Sequence, residues 1–201
     1  MSAKLEDNIH ALLPQTQCQM CGFDDCRAYA KAIAHGEAGI ELCAPGGEWV
    51  LEGLASLCQT SAEPLKRFVQ KNYRPPKTMT IRQDECIGCT KCIQACPVDA
   101  VIGTGKMRHD ILTDACNGCE LCLPVCPVDC IDEAAVGESP WQFQMRHQSQ
   151  GLKRYESRQK RMNNVLDPID SSTEVGSAED RQTMRKQEIQ RALERARQKK
   201  T

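Results

Sequence analysis

The chain has 201 residues, 40% of them hydrophobic but only 4% aromatic, with 14 cysteines and a net charge of −1. So few aromatic side chains disfavour an enzyme built around a large apolar core. The polar opening Met1-Ser2-Ala3-Lys4-Leu5-Glu6-Asp7, and the lack of any run approaching a membrane span, disfavour secretion and a transmembrane anchor.

The expected compartment is therefore reducing, and clustered cysteines there read as metal ligands rather than disulfides. Charge divides the chain. Residues 1–140 hold 12 Lys+Arg against 19 Asp+Glu (−7), residues 141–201 hold 14 against 8 (+6), and all 14 cysteines precede residue 131. An acidic, cysteine-rich body thus precedes a basic, cysteine-free tail.

Ala3 to Leu13 is expected to be a helix with Leu5, Ile9 and Leu12 on one face, stopped by Pro14. Cys18, Cys21 and Cys26 follow, with Asp24 or Asp25 placed to cap a helix through Ala28, Ala32 and Ile33 to Gly36. Cys43-Ala44-Pro45-Gly46-Gly47 reads as a turn, and Glu48 to Cys58 as a second helix with Val50, Leu54 and Leu57 on one face. Ser61 is placed to cap a third through Leu65, Phe68 and Val69, and Pro75-Pro76 closes this module.

An internal repeat follows. Residues 81–102 (IRQDECIGCTKCIQACPVDAVI) and 111–132 (ILTDACNGCELCLPVCPVDCID) match at an offset of thirty, and each copy is expected to run strand, cysteine loop, strand. In both copies the spacing is C-x2-C-x2-C-x3-C-P: Cys86, Cys89, Cys92 and Cys96, then Cys116, Cys119, Cys122 and Cys126. This is the run of bacterial two-cluster ferredoxins, in which the fourth cysteine of each copy ligates the other cluster. A cubane cluster has four iron corners, each needing a thiolate. The expected ligand sets are Cys86, Cys89, Cys92 with Cys126, and Cys116, Cys119, Cys122 with Cys96. Structural zinc also takes four thiolates, but usually from two separated C-x2-C pairs.

Cys18, Cys21, Cys26 and Cys43 offer a further set whose spacing alone leaves zinc, [2Fe-2S] and [4Fe-4S] open. Cys26 falls in the first turn of an expected helix, where N–H groups and the dipole favour an anionic group. Gly46-Gly47 allows close backbone approach to Cys43.

The run Leu13-Pro14-Gln15-Thr16-Gln17-Cys18, with Cys21-Gly22, Cys26, Ala30, Ala32, Gly36-Glu37-Ala38, Cys43 and Pro45-Gly46-Gly47, resembles the four-cysteine domain of the B subunit of the Rnf/Rsx electron transport complex. The segment CIGCTKCIQACPVDA resembles the same protein family, and the likeness covers about residues 5–135. The resemblance implies that Cys18, Cys21, Cys26 and Cys43 hold a [4Fe-4S] cluster and that the repeat holds two more. It also implies redox protein partners among the membrane subunits of such a complex. That family usually opens with an apolar anchoring helix; here the opening is polar, and the basic tail does not match the family pattern.

The fold class expected is α+β: a small helical four-cysteine domain (1–76), a ferredoxin-like two-cluster domain (77–138) and a basic helical or partly disordered tail (139–201). Ser139-Pro140 is placed to start a helix through Trp141, Met145, Leu152 and Tyr155, with an apolar face around Trp141, Phe143 and Met145. Asn163 to Gly176 reads as a linker, and Ser177 to Lys200 as a charged helix with Met184, Ile189 and Leu193 on its thin apolar face.

His10, His35, His109 and His147 are scattered and read as surface residues. Gly103-Thr104-Gly105 reads as a hairpin turn, Asp99 and Asp129 as repeat-matched turn residues, and Cys58 and Cys130 as packing thiols. No phosphate loop and no catalytic constellation is present in the sequence.

The expected function is one-electron transfer through three [4Fe-4S] clusters, and metal-free protein is expected to be largely unfolded. Three oxidised clusters add about −6 to an already acidic body, which suits a basic redox partner. The expected location is cytoplasmic, peripheral on the inner membrane's cytoplasmic face. The tail reads as a solvated extension, or as a dock onto an acidic partner or anionic membrane; nucleic acid is not an expected partner. The alternatives are a free-standing soluble ferredoxin-like carrier and a structural zinc-binding interaction protein.

Overall fold

The computed structural model describes residues 2–166. Helix α1 (Ser2–Leu12), α2 (Cys26–Ala34), α3 (Gly47–Leu57) and α4 (Lys66–Asn72), the last entered through a 3-10 turn at Glu63–Leu65, form a helical module. Ile9, Leu13, Tyr29, Ile33, Val50, Leu51, Leu54 and Val69 make its core, in which Tyr29 is the one fully buried aromatic. Tyr29 serves two roles there, donating through its hydroxyl to the Gly39 carbonyl at 2.8 Å and accepting from the Leu42 N–H.

Asp25 caps α2 in extended backbone (φ −154°, ψ 175°), accepting from the Ala28 N–H at 2.7 Å. Helix α3 ends one residue before Cys58, which sits half-buried as its C-cap. Ser61 caps nothing: the 3-10 turn starts after Ala62, whose side chain offers no acceptor, because Pro64 is tolerated in a first turn without a capping partner. Phe68 is 48% exposed while Val69 carries the burial of α4.

The repeat folds as two small antiparallel sheets. Strand β1 (Lys77–Ile81) pairs with β4 (Ile131–Ala135), placing Ile81 opposite Ile131, and β2 (Val101–Ile102) pairs with β3 (Asp110–Ile111). The first strand of copy one thus pairs with the last of copy two, and the inner strands pair with each other. This exchange carries each fourth cysteine, just ahead of β2 or β4, across to the opposite copy. The connection between β2 and β3 spans residues 103–109, longer than a tight turn at Gly103-Thr104-Gly105. Its core joins Met79, Ile81, Val98, Val101, Ile111 and Ile131 to five buried cysteines: Cys92, Cys96, Cys116, Cys122 and Cys130.

The thirty-residue offset is visible in the backbone itself. Gly88 and Gly118 (φ 67° and 69°), Thr90 and Glu120 (65° and 63°), and Asp99 and Asp129 (50° and 51°) are twin left-handed positions. At the two glycines a side chain is excluded twice over, by the positive φ and by backbone. A Cβ on Gly118 would lie 2.2 Å from the Lys77 carbonyl oxygen, and one on Gly88 would lie 2.5 Å from that of Met107.

Helix α6 (Pro140–Leu166) starts at Ser139-Pro140, after the short α5 (Lys91–Ala95) within copy one. Ser139 Oγ accepts from the Gln142 N–H while Gln142 Oε1 accepts from the Ser139 N–H, a reciprocal capping box. Its buried stripe is Phe143, His147 and Gly151, four residues apart, whereas Trp141 and Met145 are each 49% exposed. The early part of the basic tail is therefore packed on the body rather than extended into solvent. Gln148 Nε2 donates to the Leu13 carbonyl at 3.1 Å, Tyr155 bonds Asp25, and Arg158 pairs with Asp99 at 2.6 Å. Asn163 to Leu166 continue the helix. The remainder of the expected linker and the charged helix at Ser177 to Lys200 lie outside the described residues.

Three of the four histidines are buried, His10 at 5%, His109 at 1% and His147 at 2% exposure, and only His35 lies on the surface. His109 is packed against Cys86 and Cys92 of copy one, contacts that spacing along the chain does not reveal.

Candidate iron–sulfur sites

Cys18, Cys21, Cys26 and Cys43 border one enclosed cavity, together with Leu13, Tyr29, Ala44 and Pro45. Cys26 opens α2, as its place in the sequence suggested, and its N–H donates to Gln17 Oε1 at 2.8 Å. Gln17 Nε2 in turn donates to Gln15 Oε1 at 3.0 Å. Sequence reasoning assigned no role to the glutamines of this loop. Gln15, Gln17 and Gln19 all carry left-handed backbone (φ 58°, 53° and 61°). Alternating left-handed residues turn successive N–H groups to one side, a concavity suited to anionic and iron–sulfur groups. The signal available in sequence was the Gln15-Thr16-Gln17-Cys18-Gln19 alternation around a cysteine, weak because glutamine rarely adopts this backbone.

Cys96, Cys116, Cys119 and Cys122 border a second enclosed cavity, with Met79, Val98, Ala100, Val101 and Ile111. Three of these cysteines come from copy two and one from copy one, as the strand exchange dictates. The Ala100 N–H donates to Cys96 Sγ at 3.2 Å.

Cys86 and Cys89 lie on the loop that runs into α5 and Cys92 in its first turn, while Cys130 of copy two stands between Cys126 and Cys86. The Cys130 sulfur lies 3.6 Å from Cys126 Sγ and beside Cys86 as well. The Cys130 N–H donates to Cys126 Sγ at 3.4 Å, and the His109 N–H to Cys86 Sγ at 3.4 Å. Ring Nδ1 of His109 is 3.3 Å from Cys92 Sγ. His109 is thus a site neighbour that the sequence left on the surface. Among the described residues no three His, Cys, Asp or Glu side chains converge on one point as a single metal ion needs; the sulfurs of the first two sets border cavities instead.

Burial pushes Cys26 and Cys122 up to about 12, with neighbouring cysteines adding to the shift, and raises Cys43 and Cys119 in the same way. Four thiolates in one apolar pocket repel each other, so these sets call for a positively charged metal core. N–H donors partly offset the burial: Gly46 faces Cys43, and Leu121 faces Cys119. At Cys126 burial again raises the pKa, but the N–H groups of Cys130, Val128 and Asp129 outweigh it and the net shift is downward. The donor chemistry therefore fits iron–sulfur clusters held by all-thiolate sets with N–H···S support.

The first and second sites share a wall. Asn117, next to Cys116, is 2% exposed and donates through Nδ2 to the carbonyls of Thr16 (3.0 Å) and Gln15 (3.4 Å), just ahead of Cys18. Its repeat twin, Ile87, is 59% exposed.

A two-sheet repeat carrying interleaved cysteine sets, joined to a four-cysteine helical module, defines an iron–sulfur electron-transfer protein of the dicluster ferredoxin class. Residues 79–132 match a family described as "4Fe-4S dicluster domain", residues 55–100 a second of that description, and residues 13–45 a family described as "Putative Fe-S cluster". The chain is 58% identical over 133 residues to the B subunit of the ion-translocating oxidoreductase complex of Shewanella sp. strain MR-4, covering 66% of this chain and 67% of that protein. It is 55% identical over 143 residues to the protein of the same name from Shewanella pealeana, covering 70% and 74%. The chain belongs to the family of the B subunit of the ion-translocating Rnf oxidoreductase complex. No helix among the described residues is long and apolar enough to cross a membrane.

Proposed function

We propose that the chain is a one-electron relay with three [4Fe-4S] clusters. The ligand sets are Cys18, Cys21, Cys26 and Cys43; Cys86, Cys89, Cys92 and Cys126; and Cys96, Cys116, Cys119 and Cys122. They are distributed over a helical domain (1–76) and a two-cluster domain (77–138), followed by the basic tail (139–201). The observation that carries the reading is the cavity bordered by Cys96 and by Cys116, Cys119 and Cys122, which gathers one cysteine of copy one among three of copy two. Such a cluster supplies a one-electron couple whose potential follows from charge, burial and hydrogen bonds to its sulfurs.

The residues of the chain supply the rest. Apolar walls bury Cys96, Cys116, Cys119 and Cys122, N–H groups of Ala100, His109 and Cys130 support the sulfurs, and Asn117 fixes the loop of one site against that of another. The relatives are named as subunits of an ion-translocating complex. The partners of this chain would then be redox subunits of such a complex, and its place the cytoplasmic face of the inner membrane.

Anaerobic purification with metal analysis tests the cofactor reading: about twelve irons per chain and visible absorbance that bleaches on reduction are expected. About eight irons with one structural zinc would remove the first cluster, and a colourless zinc protein would end the relay. Co-purification with membrane subunits tests the partners, and exclusively soluble partners would favour a free-standing carrier.

A further inference from the structure

The two copies of the repeat differ at one buried position beside a sulfur. Ala100 of copy one is replaced by Cys130 of copy two, and both are almost fully buried, at 1% and 3% exposure. Both backbones do the same thing: the Ala100 N–H donates to Cys96 Sγ and the Cys130 N–H to Cys126 Sγ. The side chains do not. A methyl group offers nothing to Cys96, whereas the Cys130 sulfur stands 3.6 Å from Cys126 Sγ and also contacts Cys86. When Cys126 and Cys86 act as metal ligands they have no proton to give, so Cys130 is the donor in any S–H···S contact between them. The relay itself gives this buried thiol no task.

We propose that Cys130 is a tuning residue, its thiol donating to Cys126 and raising the potential of the cluster at Cys86, Cys89, Cys92 and Cys126. The inference rests on the ligand sets proposed above. The reduced cluster carries one more negative charge, spread partly over its thiolates. A hydrogen bond to a thiolate therefore stabilises the reduced form more than the oxidised one. One electron enters, the S–H bond stays intact and no proton moves. His109 also supports this site, through its N–H to Cys86, so the thiol adds to an existing bias and only a subtraction isolates it.

The test is a redox titration of the holo-protein followed by electron paramagnetic resonance, with Cys130→Ala, Cys130→Ser and the reciprocal Ala100→Cys. Cys130→Ala reproduces the residue of the twin copy and is expected to lower the midpoint of one cluster only. The displacement is up to about tenfold in the one-electron equilibrium, ~59 mV. Cys130→Ser keeps a donor and is expected to return the midpoint toward that of the parent, while Ala100→Cys is expected to raise the midpoint of the other repeat cluster. An unmoved or raised midpoint in Cys130→Ala overturns the proposal. So does a serine variant that behaves as the alanine one, because packing alone would then account for the shift. A parent protein lacking the expected iron and redox transitions would instead fail the underlying ligand assignment, and iron analysis on the same samples separates the two failures.

Discussion

Tyr155 donates its phenolic hydrogen to Asp25 Oδ2 at 2.9 Å, while the other carboxylate oxygen of Asp25 accepts from the Ala28 N–H. One aspartate thus caps the helix that begins with Cys26 and anchors a helix 130 residues further on. Tyr155→Phe removes a single neutral-to-charged hydrogen bond from a half-buried site, and a loss of about 1 kcal/mol is expected. Asp25→Ala removes the cap as well and is expected to cost about 2 kcal/mol. Chemical unfolding of the holo-protein measures both, and equal losses in the two variants would contradict the dual role.

Arg158 carries the second anchor of α6. It pairs with Asp99 and donates to the Gln94 carbonyl, and Arg161 reaches the same aspartate. Asp99 was legible as a turn residue, and its left-handed backbone agrees; its pairing with a distant helix was not. Arg158→Ala is expected to cost about 1 kcal/mol at low salt, and less as ionic strength rises, because Asp99 is partly exposed. A double-mutant cycle with Asp99→Asn, repeated at two salt concentrations, gives the coupling. A coupling that does not weaken with salt would remove the ionic contribution.

His147 lies in the buried stripe of α6, its ring against Phe143 at a centroid distance of 4.1 Å. Burial and then the adjacent Arg146 lower its pKa to about 4, with Glu138 opposing. A histidine held neutral in the fold contributes stability above its ordinary pKa of 6.5 that is lost as pH falls toward 4. Melting temperature is therefore expected to drop between those two values, and to drop less in His147→Phe. The same slope in both proteins would assign the effect to other groups.

Gly118→Ala places a methyl group into the Lys77 carbonyl in left-handed backbone beside Cys119. Strain of about 1–3 kcal/mol is expected, read as a loss of iron per chain from the adjacent site. Gly137→Ala is the control, since a Cβ there meets nothing within 4 Å. Full iron content in Gly118→Ala would show that the loop can shift without cost.

The repeat is where sequence and structure agree most closely. The offset of thirty and the C-x2-C-x2-C-x3-C-P spacing are properties of neighbours along the chain, and the strands, the cysteine loops and the left-handed Asp99 and Asp129 appear where that spacing puts them. Asp25 as a cap and Ser139-Pro140 as a helix start were legible for the same reason: capping is settled within three residues.

The sequence by itself determined the iron–sulfur chemistry of the repeat, because thiolate number and spacing select it locally there, whereas the spacing of Cys18, Cys21, Cys26 and Cys43 left the metal open. Tertiary structure alone decided the burial of His10, His109 and His147, and the packing of α6 through Phe143, His147 and Gly151 rather than Trp141 and Met145. It also decided the meeting of Asn117 with Thr16 and the placing of Cys130 beside Cys126. The basic charge of Arg158 and Arg161 is spent in part on Asp99 of the same chain rather than wholly on a partner. Each of these depends on which distant surfaces meet once the two repeat copies exchange strands and α6 folds back. Burial and ion pairing are settled by that three-dimensional encounter, and no local pattern encodes it.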